Sequence, residues 1–404
     1  MAWTIKNRIY HLIGSQRRTE MTELDNMLAV LAGERPGRFP YTPMGHWNRH
    51  AIRKLLPADC YHDHIYCLPE DSWEQSDRGS SSREASVNYA RFMGVSTLGV
   101  GKGGAMPFGH GGPAEIIGEL EVREADGREI YRFEGGSRRL VRYDPYSVRY
   151  GLTFPIRTHG DLDVLELPDP HDPQRWVDVE GDVAAFEAAG VMPAAKIMGF
   201  FSGIHNNFYD FEPLLLDFFD NPEFVQRLTD TLAEWSLACA EEALRRGVKL
   251  IEVCDDLGTP EGMLISPEQF DRFYLAHYRS LVELCHSHGA FVHMHSHGNI
   301  VPILPQLIEA GVDILNPFDP HEVPDLDELV ERFGGEVVLC GFIPSDYYLL
   351  ERDEDIEALF ARAASLGRRC KRGYILMEHG YPEDLTPQRF RLILDLVEKY
   401  RRLN

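Results

Sequence analysis

No run of about 18 consecutive apolar residues occurs anywhere in the 404-residue chain, so a membrane-spanning helix is not expected. A basic excess is missing too: 41 Lys and Arg stand against 64 Asp and Glu, a formal charge of −23. So acidic a surface repels the phosphates of nucleic acids and anionic membranes, and neither is an expected partner. Cysteine is sparse, with seven residues at 60, 67, 239, 254, 285, 340 and 370 and no CxxC pair. An odd, scattered set argues against a disulfide framework and fits reduced, intracellular thiols. The first twenty residues lack an apolar core ahead of a small-residue cleavage site, so no signal peptide is expected and the expected location is the cytoplasm. Low-complexity tracts and repeats of roughly 20–50 residues are also absent.

What is present looks globular: 44% hydrophobic and 26% charged residues. The length allows two or three small domains, or one α/β barrel of about 250 residues enlarged by insertions. The second half decides between them. Short runs rich in β-branched residues, KLIEVC (249–254), AFVHMH (290–295), VDILNP (312–317), EVVLCGF (336–342) and GYILME (373–378), alternate with longer amphipathic stretches. These stretches are 266–288, 299–311, 325–334, 354–367 and 386–400, and the alternation predicts right-handed βαβ units around a parallel sheet. Ser266-Pro267 and Thr386-Pro387 supply a capping hydroxyl before a first-turn proline, and Gly334 and Gly367 stand where helices are expected to end. AAKIMGFF (194–201), STLGVG (96–101) and RFPYTPMG (38–45) bring the strands to eight. The expected fold is therefore an α/β, (β/α)8 TIM-type barrel filling residues 1–404 as one domain. Residues 1–37 form an N-terminal helical extension, and 113–158, with alternating polarity and turns at Asp126-Gly127 and Gly135-Gly136, form an inserted antiparallel hairpin or meander.

In such a barrel, chemistry gathers at the C-terminal strand ends. Those ends carry Met44–Trp47, Gly101–Gly104, Cys254–Asp256, His293–Gly298, Cys340–Phe342 and Glu378–Gly380. Extended residues two apart face the same way, so His295 and His297 can aim at one divalent metal, with His379 as the third ligand from strand eight. With 17 His in the chain, chance clustering is the competing explanation. His286 and His288 are expected at a helix end facing water. Asp255 and Asp256 are candidate catalytic groups, receiving an imidazole N–H or substrate hydroxyls, against an ordinary role at a helix start. Glu378 is a candidate acid, base or fourth ligand, although adjacent strand residues point oppositely and only one of Glu378 and His379 reaches the mouth. His46, Trp47 and Phe342 are expected to contact substrate, and Cys340 reads as a core thiol. Three patterns read as ordinary structure. Gly99-x-Gly101-x-x-Gly104 is followed by Met106-Pro107 where a helix should begin, and so reads as a loop over the site. Tyr61-His62-Asp63-His64 reads as a solvated loop, and the Arg pairs as solvated faces.

The stretches HSHGNIVPILPQLIEAGVDILNPFDP, VVLCGFI and GYILMEHGYPEDLTP resemble the C-terminal half of the uroporphyrinogen decarboxylase superfamily. That superfamily includes porphyrinogen decarboxylases and cobalamin-dependent methyltransferases typified by methylcobamide:coenzyme M methyltransferase. KIMGFF and DDLGTPEGMLISPEQFDRFYLAHYRSLVE extend the likeness over roughly residues 195–400, and it weakens towards the N-terminus. The resemblance implies a (β/α)8 barrel with its site at the C-terminal mouth. In the methyltransferase branch, zinc is held by His-x-Cys-Gly after strand five and a second Cys after strand eight. Here His295 keeps its place, while His297 and His379 stand where the two thiols would be. The decarboxylase branch carries Gly-His-Gly near its C-terminus, close to Glu378-His379-Gly380. Its N-terminal arginine signature, which receives substrate carboxylates, is not found, and RFPYTPMGHWNRH stands in that region.

Three neutral imidazoles leave a zinc ion its full charge, so such a site polarises a bound oxygen more strongly than one with two thiolates. The expected activity is metal-dependent methyl transfer from an oxygen- or sulfur-bound methyl group of a small molecule. The corrinoid acceptor implied by the resemblance would be carried by a separate protein, and the sequence leaves a homodimer open. The alternatives are a decarboxylase-like lyase using His379 without metal and a non-catalytic small-molecule binding protein.

Overall fold

The computed structural model describes residues 21–47, 54–60, 82–101, 119–124, 128–132, 136–142, 148–381 and 384–403. In chain order the elements begin with α1 (Glu23–Leu31), β1 (Met44–Trp47), α2 (Ser82–Met93) and β2 (Thr97–Gly99). Next come β3 (Glu119–Arg123), β4 (Glu129–Arg132), β5 (Arg138–Arg142) and β6 (Val148–Thr153). Then follow α3 (Val179–Ala188), β7 (Met192–Met198), α4 (Ser202–Asn207), α5 (Phe211–Asp220), α6 (Pro222–Arg245) and β8 (Leu250–Cys254). A short hairpin of β9 (Gly258–Thr259) and β10 (Gly262–Met263) leads to α7 (Pro267–Phe273), α8 (Leu275–Ser287) and β11 (Phe291–His295). The chain continues through α9 (Leu304–Ala310), β12 (Ile314–Phe318), α10 (Leu326–Phe333), β13 (Val338–Phe342) and α11 (Asp353–Arg369). It closes with β14 (Tyr374–Met377), β15 (His379–Tyr381) and α12 (Pro387–Arg401).

Seven strands form one parallel sheet in the order β2-β7-β8-β11-β12-β13-β14. Residues 40–42 join its two edges. Thr42 N donates to Leu376 O (3.1 Å) and Leu376 N to Pro40 O (2.9 Å) on one side, while Ser96 N donates to Tyr41 O (2.7 Å) on the other. Beyond them β1 pairs in parallel with β15, Met44 opposite His379 and Trp47 opposite Tyr381. Strands β3 to β6 make a separate antiparallel meander in sequential order.

The two-residue period of a strand sorts its side chains between two cores. Ile251, Val253, Val292, Met294, Leu315, Leu339 and Leu376 face outwards into the larger hydrophobic cluster beneath the helices. Leu250, Phe291, Ile314, Val338 and Ile375 face inwards, where Met27, Val30 and Leu31 of α1 pack onto them. Leu24 N donates to Gly190 O, and Arg372 donates to Val30 O and Leu31 O. Gly190 and Arg372 both precede strands, so α1 plugs the inner face of the curved sheet at its N-terminal end. It is anchored by a capping box between Thr22 and Asp25.

Two local expectations are corrected. Gly367 does not end its helix: α11 runs on to Arg369, and a Cβ at 367 would lie 2.2 Å from the Tyr374 ring, so the glycine serves close helix–strand packing. His286 does sit in the last turn of α8, but it does not simply face water; its Nε2 lies 2.9 Å from Asp313 Oδ2. That hydrogen bond raises its pKa above the ordinary value against the opposing effect of burial. A raised histidine pKa stabilises the fold fully below the unfolded value of about 6.5, and the contribution fades as pH rises through the higher folded value. The melting-temperature loss in His286→Ala is therefore expected to be larger at pH 6 than at pH 8. An equal loss at both would show that the charge adds nothing.

Candidate active site

The strand β11 sequence FVHMH places Phe291, His293 and His295 inwards, and Ser296, His297 and Gly298 leave the strand end. Cross-strand register sets Cys254 and Asn316 beside His295, and Glu252 beside both His293 and Lys196. The loop after β11 is pressed onto the β9 segment. Gly298 has φ +87°, and a Cβ there would lie 2.1 Å from the Gly258 carbonyl carbon, so only glycine fits. Ser296 Oγ accepts from Leu257 N (3.0 Å), and Asp256 Oδ1 accepts from His297 N (2.9 Å).

These contacts bring the two expected histidines together. The rings of His295 and His297 have centroids 5.0 Å apart and planes at 84°. Each has one nitrogen on a carboxylate: His295 Nε2 lies 3.4 Å from Asp256 Oδ1, and His297 Nδ1 lies 2.8 Å from Glu322 Oε1. Burial lowers the His295 pKa, and the bond to Asp256 only partly opposes it. At His297 burial also pulls downwards, but the bond to Glu322 and the charges of Glu322, Asp256 and Asp319 win, and the pKa rises. Asp319 is buried and holds the chain after β12, accepting from His321 N (2.8 Å) and Ser345 N (2.7 Å). Glu322 lies in that segment.

Asp256 lies beside an imidazole, but Asp255 is corrected. Its side chain is fully buried and accepts from Phe200 N (3.0 Å), Phe201 N (2.8 Å), Ser202 N (2.6 Å) and Tyr278 Oη (2.8 Å). Four donors commit both oxygens to the framework, with none turned to a substrate. Burial nevertheless pushes its pKa up to about 6, against the lowering effect of those bonds. Phe342 is corrected too. It is 2% exposed and its ring stacks on Tyr374 at 5.1 Å and 12°, so its side chain serves the core. Its φ of +75° marks backbone strain at the end of β13. Cys340 is a core thiol as expected, 3.7 Å from Met377 Sδ.

Glu378 is fully buried and its Oε1 accepts from the Tyr41 hydroxyl. His379 follows it on the backbone of β15, next to the strand that carries His46 and Trp47. The side chains of His46, Trp47 and His379 lie outside the described residues, as do Lys102–Gly104 and Tyr61–His64. Among the described residues, no three His, Cys, Asp or Glu side chains form a group able to hold a metal ion.

Sequence reasoning missed a polar layer beneath the histidine pair. Lys196 Nζ is 3.7 Å from Glu252 Oε2, and His293 Nδ1 is 3.5 Å from Glu252 Oε1. Burial opposes the charge on Glu252, but Lys196 and His293 outweigh it and hold its pKa down at about 2. Beside this layer the Cys254 thiol is pushed up by burial to about 12 and stays protonated. The signal was in the sequence. KIM, LIEVC, FVHMH and ILN each carry a polar residue at a position whose two-residue period points it inwards.

The profile described as "Uroporphyrinogen decarboxylase (URO-D)" matches residues 152–400, a span holding every strand from β7 to β15. Among curated proteins, a uroporphyrinogen decarboxylase of Pseudomonas fluorescens is 23% identical over 262 residues, covering 60% of this chain and 69% of that protein. Among solved structures, a methyltransferase from Methanosarcina mazei superposes with a TM-score of 0.62 at 15% identity, over 94% of this chain and 99% of its own. At that identity the likeness is one of fold.

Proposed function

This chain belongs to the uroporphyrinogen decarboxylase family, and from that premise we propose that it is a metal-dependent methyltransferase built on a (β/α)8 barrel closed by residues 40–42. His295, His297 and His379 would hold the metal, and zinc is the ion that suits an all-imidazole set best. The observation that carries the reading is the histidine pair itself: two rings 5.0 Å apart, each with one nitrogen engaged by a carboxylate. Metal-binding imidazoles are typically oriented by a carboxylate on the nitrogen remote from the metal, which fixes tautomer and ring direction. We assign that role to Asp256 and Glu322, so that Nδ1 of His295 and Nε2 of His297 would be the donors to an ion at a common point. The strand pairing of β15 with β1 brings the backbone of His379 to the same end of the barrel.

A divalent ion at that point would supply Lewis acidity towards an oxygen carrying the methyl group. The protein's own groups do the rest. Asp256 and Glu322 fix the imidazoles, and the glycine contact at 298 fixes the loop. The Lys196–Glu252–His293 layer gives the substrate a polar floor. A corrinoid on a separate small protein is the proposed methyl acceptor. A second reading, a carboxy-lyase, follows the name of the curated relative, but Lys196 is the single cation described in that polar layer to receive carboxylates.

Metal analysis of the purified protein tests the proposal. Near-stoichiometric zinc is expected, falling to background in the triple His295→Ala, His297→Ala, His379→Ala variant. Demethylation of a methyl ether in the presence of a Co(I) corrinoid should disappear with it. Protein without bound metal that releases CO2 from a carboxylated tetrapyrrole would overturn the reading in favour of the lyase.

A further inference from the structure

The inner face of the sheet carries a pair of opposite charges that a metal at the histidines would not use. Ala195, Ile197, Ile251 and Val253 turn outwards into the core beneath the helices, while Ala194 and Leu250 turn inwards, so Lys196 and Glu252 share the inner face. They stand side by side in register on β7 and β8, with Lys196 Nζ 3.7 Å from Glu252 Oε2. The next inward row towards the mouth is Met198, Cys254 and His295. The charge pair therefore lies about 7 Å deeper along the strands than His295. Beneath it the face is closed, with Ala194 3% and Leu250 0% exposed. The pair itself is open to solvent: the Lys196 side chain is 31% exposed and that of Glu252 16%. Stability does not explain why it is there. Two apolar side chains of similar volume often hold such a layer as well or better, because both charges must shed water.

We propose that Lys196 and Glu252 form a subsite for a zwitterionic head group, which sets its carboxylate at Lys196 and its ammonium at Glu252. The class follows from how close the two charges are. A lone anion at Lys196 also meets the Glu252 charge, and a lone cation at Glu252 also meets Lys196. A ligand with both signs lies antiparallel to the pair and gains a charge-assisted hydrogen bond at each end. An α-amino acid has the matching spacing, since only its α carbon and carboxyl carbon separate the nitrogen from the carboxylate oxygens. The substrate class is thus an O-methylated hydroxy-amino acid, with its ether oxygen towards the histidine pair. That placing of the ether oxygen rests on the methyl-transfer reading, whereas the zwitterion preference does not.

Calorimetric titration of the purified protein with O-methylserine, 3-methoxypropionate and 2-methoxyethylamine tests it. The first probe carries both charges, and each of the others lacks one of them. O-methylserine is expected to bind about ten-fold tighter than either or more, as one charge-assisted hydrogen bond warrants. Lys196→Met should move the preference to 2-methoxyethylamine, and Glu252→Gln should move it to 3-methoxypropionate. Opposite shifts from two neighbouring substitutions are a result that lost packing alone does not give. Should either variant fail to fold, the ranking on the unmodified protein still decides. Equal affinities, tighter binding of a singly charged probe, or no binding of any probe overturns the subsite. O-methylserine that binds best but passes no methyl group to a Co(I) corrinoid leaves the subsite standing and overturns the methyl-transfer reading. Methyl transfer from 3-methoxypropionate or 2-methoxyethylamine, without a preference for the zwitterion, does the reverse.

Discussion

Asp255→Ala is expected to cost at least about 4 kcal/mol of folding stability, enough to leave many domains of ordinary stability unfolded. The carboxylate accepts three consecutive backbone N–H groups, of Phe200, Phe201 and Ser202, and the hydroxyl of Tyr278. Alanine would strand all four in a place water cannot reach. Each unmet buried donor costs roughly 1–3 kcal/mol, and Tyr278 can recover part of its share by rotating its hydroxyl. The turn it holds cannot relax by moving closer, because Gly199 already presses on the end of β8: a Cβ there would lie 2.0 Å from Cys254 O. Asp255→Asn should lose less, since the amide oxygen still serves one pair of donors while its NH2 group faces the other pair. Urea unfolding of the two variants against the parent checks the order, and an alanine variant within 1 kcal/mol of the parent would remove the structural role assigned here. The consequence reaches the site, because the same residue joins the end of β7 to α8, the helix that feeds β11 and its histidines.

That outcome also shows where the sequence was legible. Apolar runs at regular spacing gave the parallel strands from β7 to β14 within a few residues, because burial on both faces leaves an unmistakable pattern. The helix starts at Ser266 and Thr386 were visible because capping is local chemistry, and both side chains do accept from the third helical N–H. The pair His295 and His297 was legible for the same reason, since two residues apart on a strand end is a short-range statement. Asp255 and Asp256 were not separable. They are adjacent and identical in type, yet one turns into the framework and the other towards the imidazoles, a choice made by α4 and α8 rather than by neighbours in sequence. Glu322 was invisible for a related reason: it reaches His297 from a loop 25 residues later, held there by the contacts of Asp319. The polar layer of Lys196, Glu252 and His293, and Asn316 beside His295, needed only the strand period carried along the inner face of the sheet instead of read at its rim.

Glu23→Ala is the second substitution expected to be severe, costing roughly 3–5 kcal/mol, because it removes one partner of a buried ion pair and leaves the other charge in place. Arg401, 1% exposed, bonds Glu23 Oε2 and also donates to Phe39 O (2.9 Å) and Gly94 O (2.8 Å). The same carboxylate binds Arg38 and accepts from Ser96 Oγ (2.6 Å), and Ser96 Oγ accepts from Tyr41 N (2.9 Å). One carboxylate of the plug helix therefore ties together the final helix, the strand β2 entrance and the segment that joins the sheet edges. Tyr41 carries the connection on to Glu378, directly before His379. If the cost is mostly the stranded guanidinium, the double variant Glu23→Met, Arg401→Met should be more stable than Glu23→Ala, although it has lost more native bonds. If the double variant is instead the weaker of the two, the bonds to Phe39 O and Gly94 O carry the closure and the charge pair is secondary. Thermal melts of the three proteins decide this. If the proposed zinc is bound at the mouth, zinc content measured on the same samples should fall in Glu23→Ala before the chain unfolds, because the variant loosens Tyr41 beside Glu378.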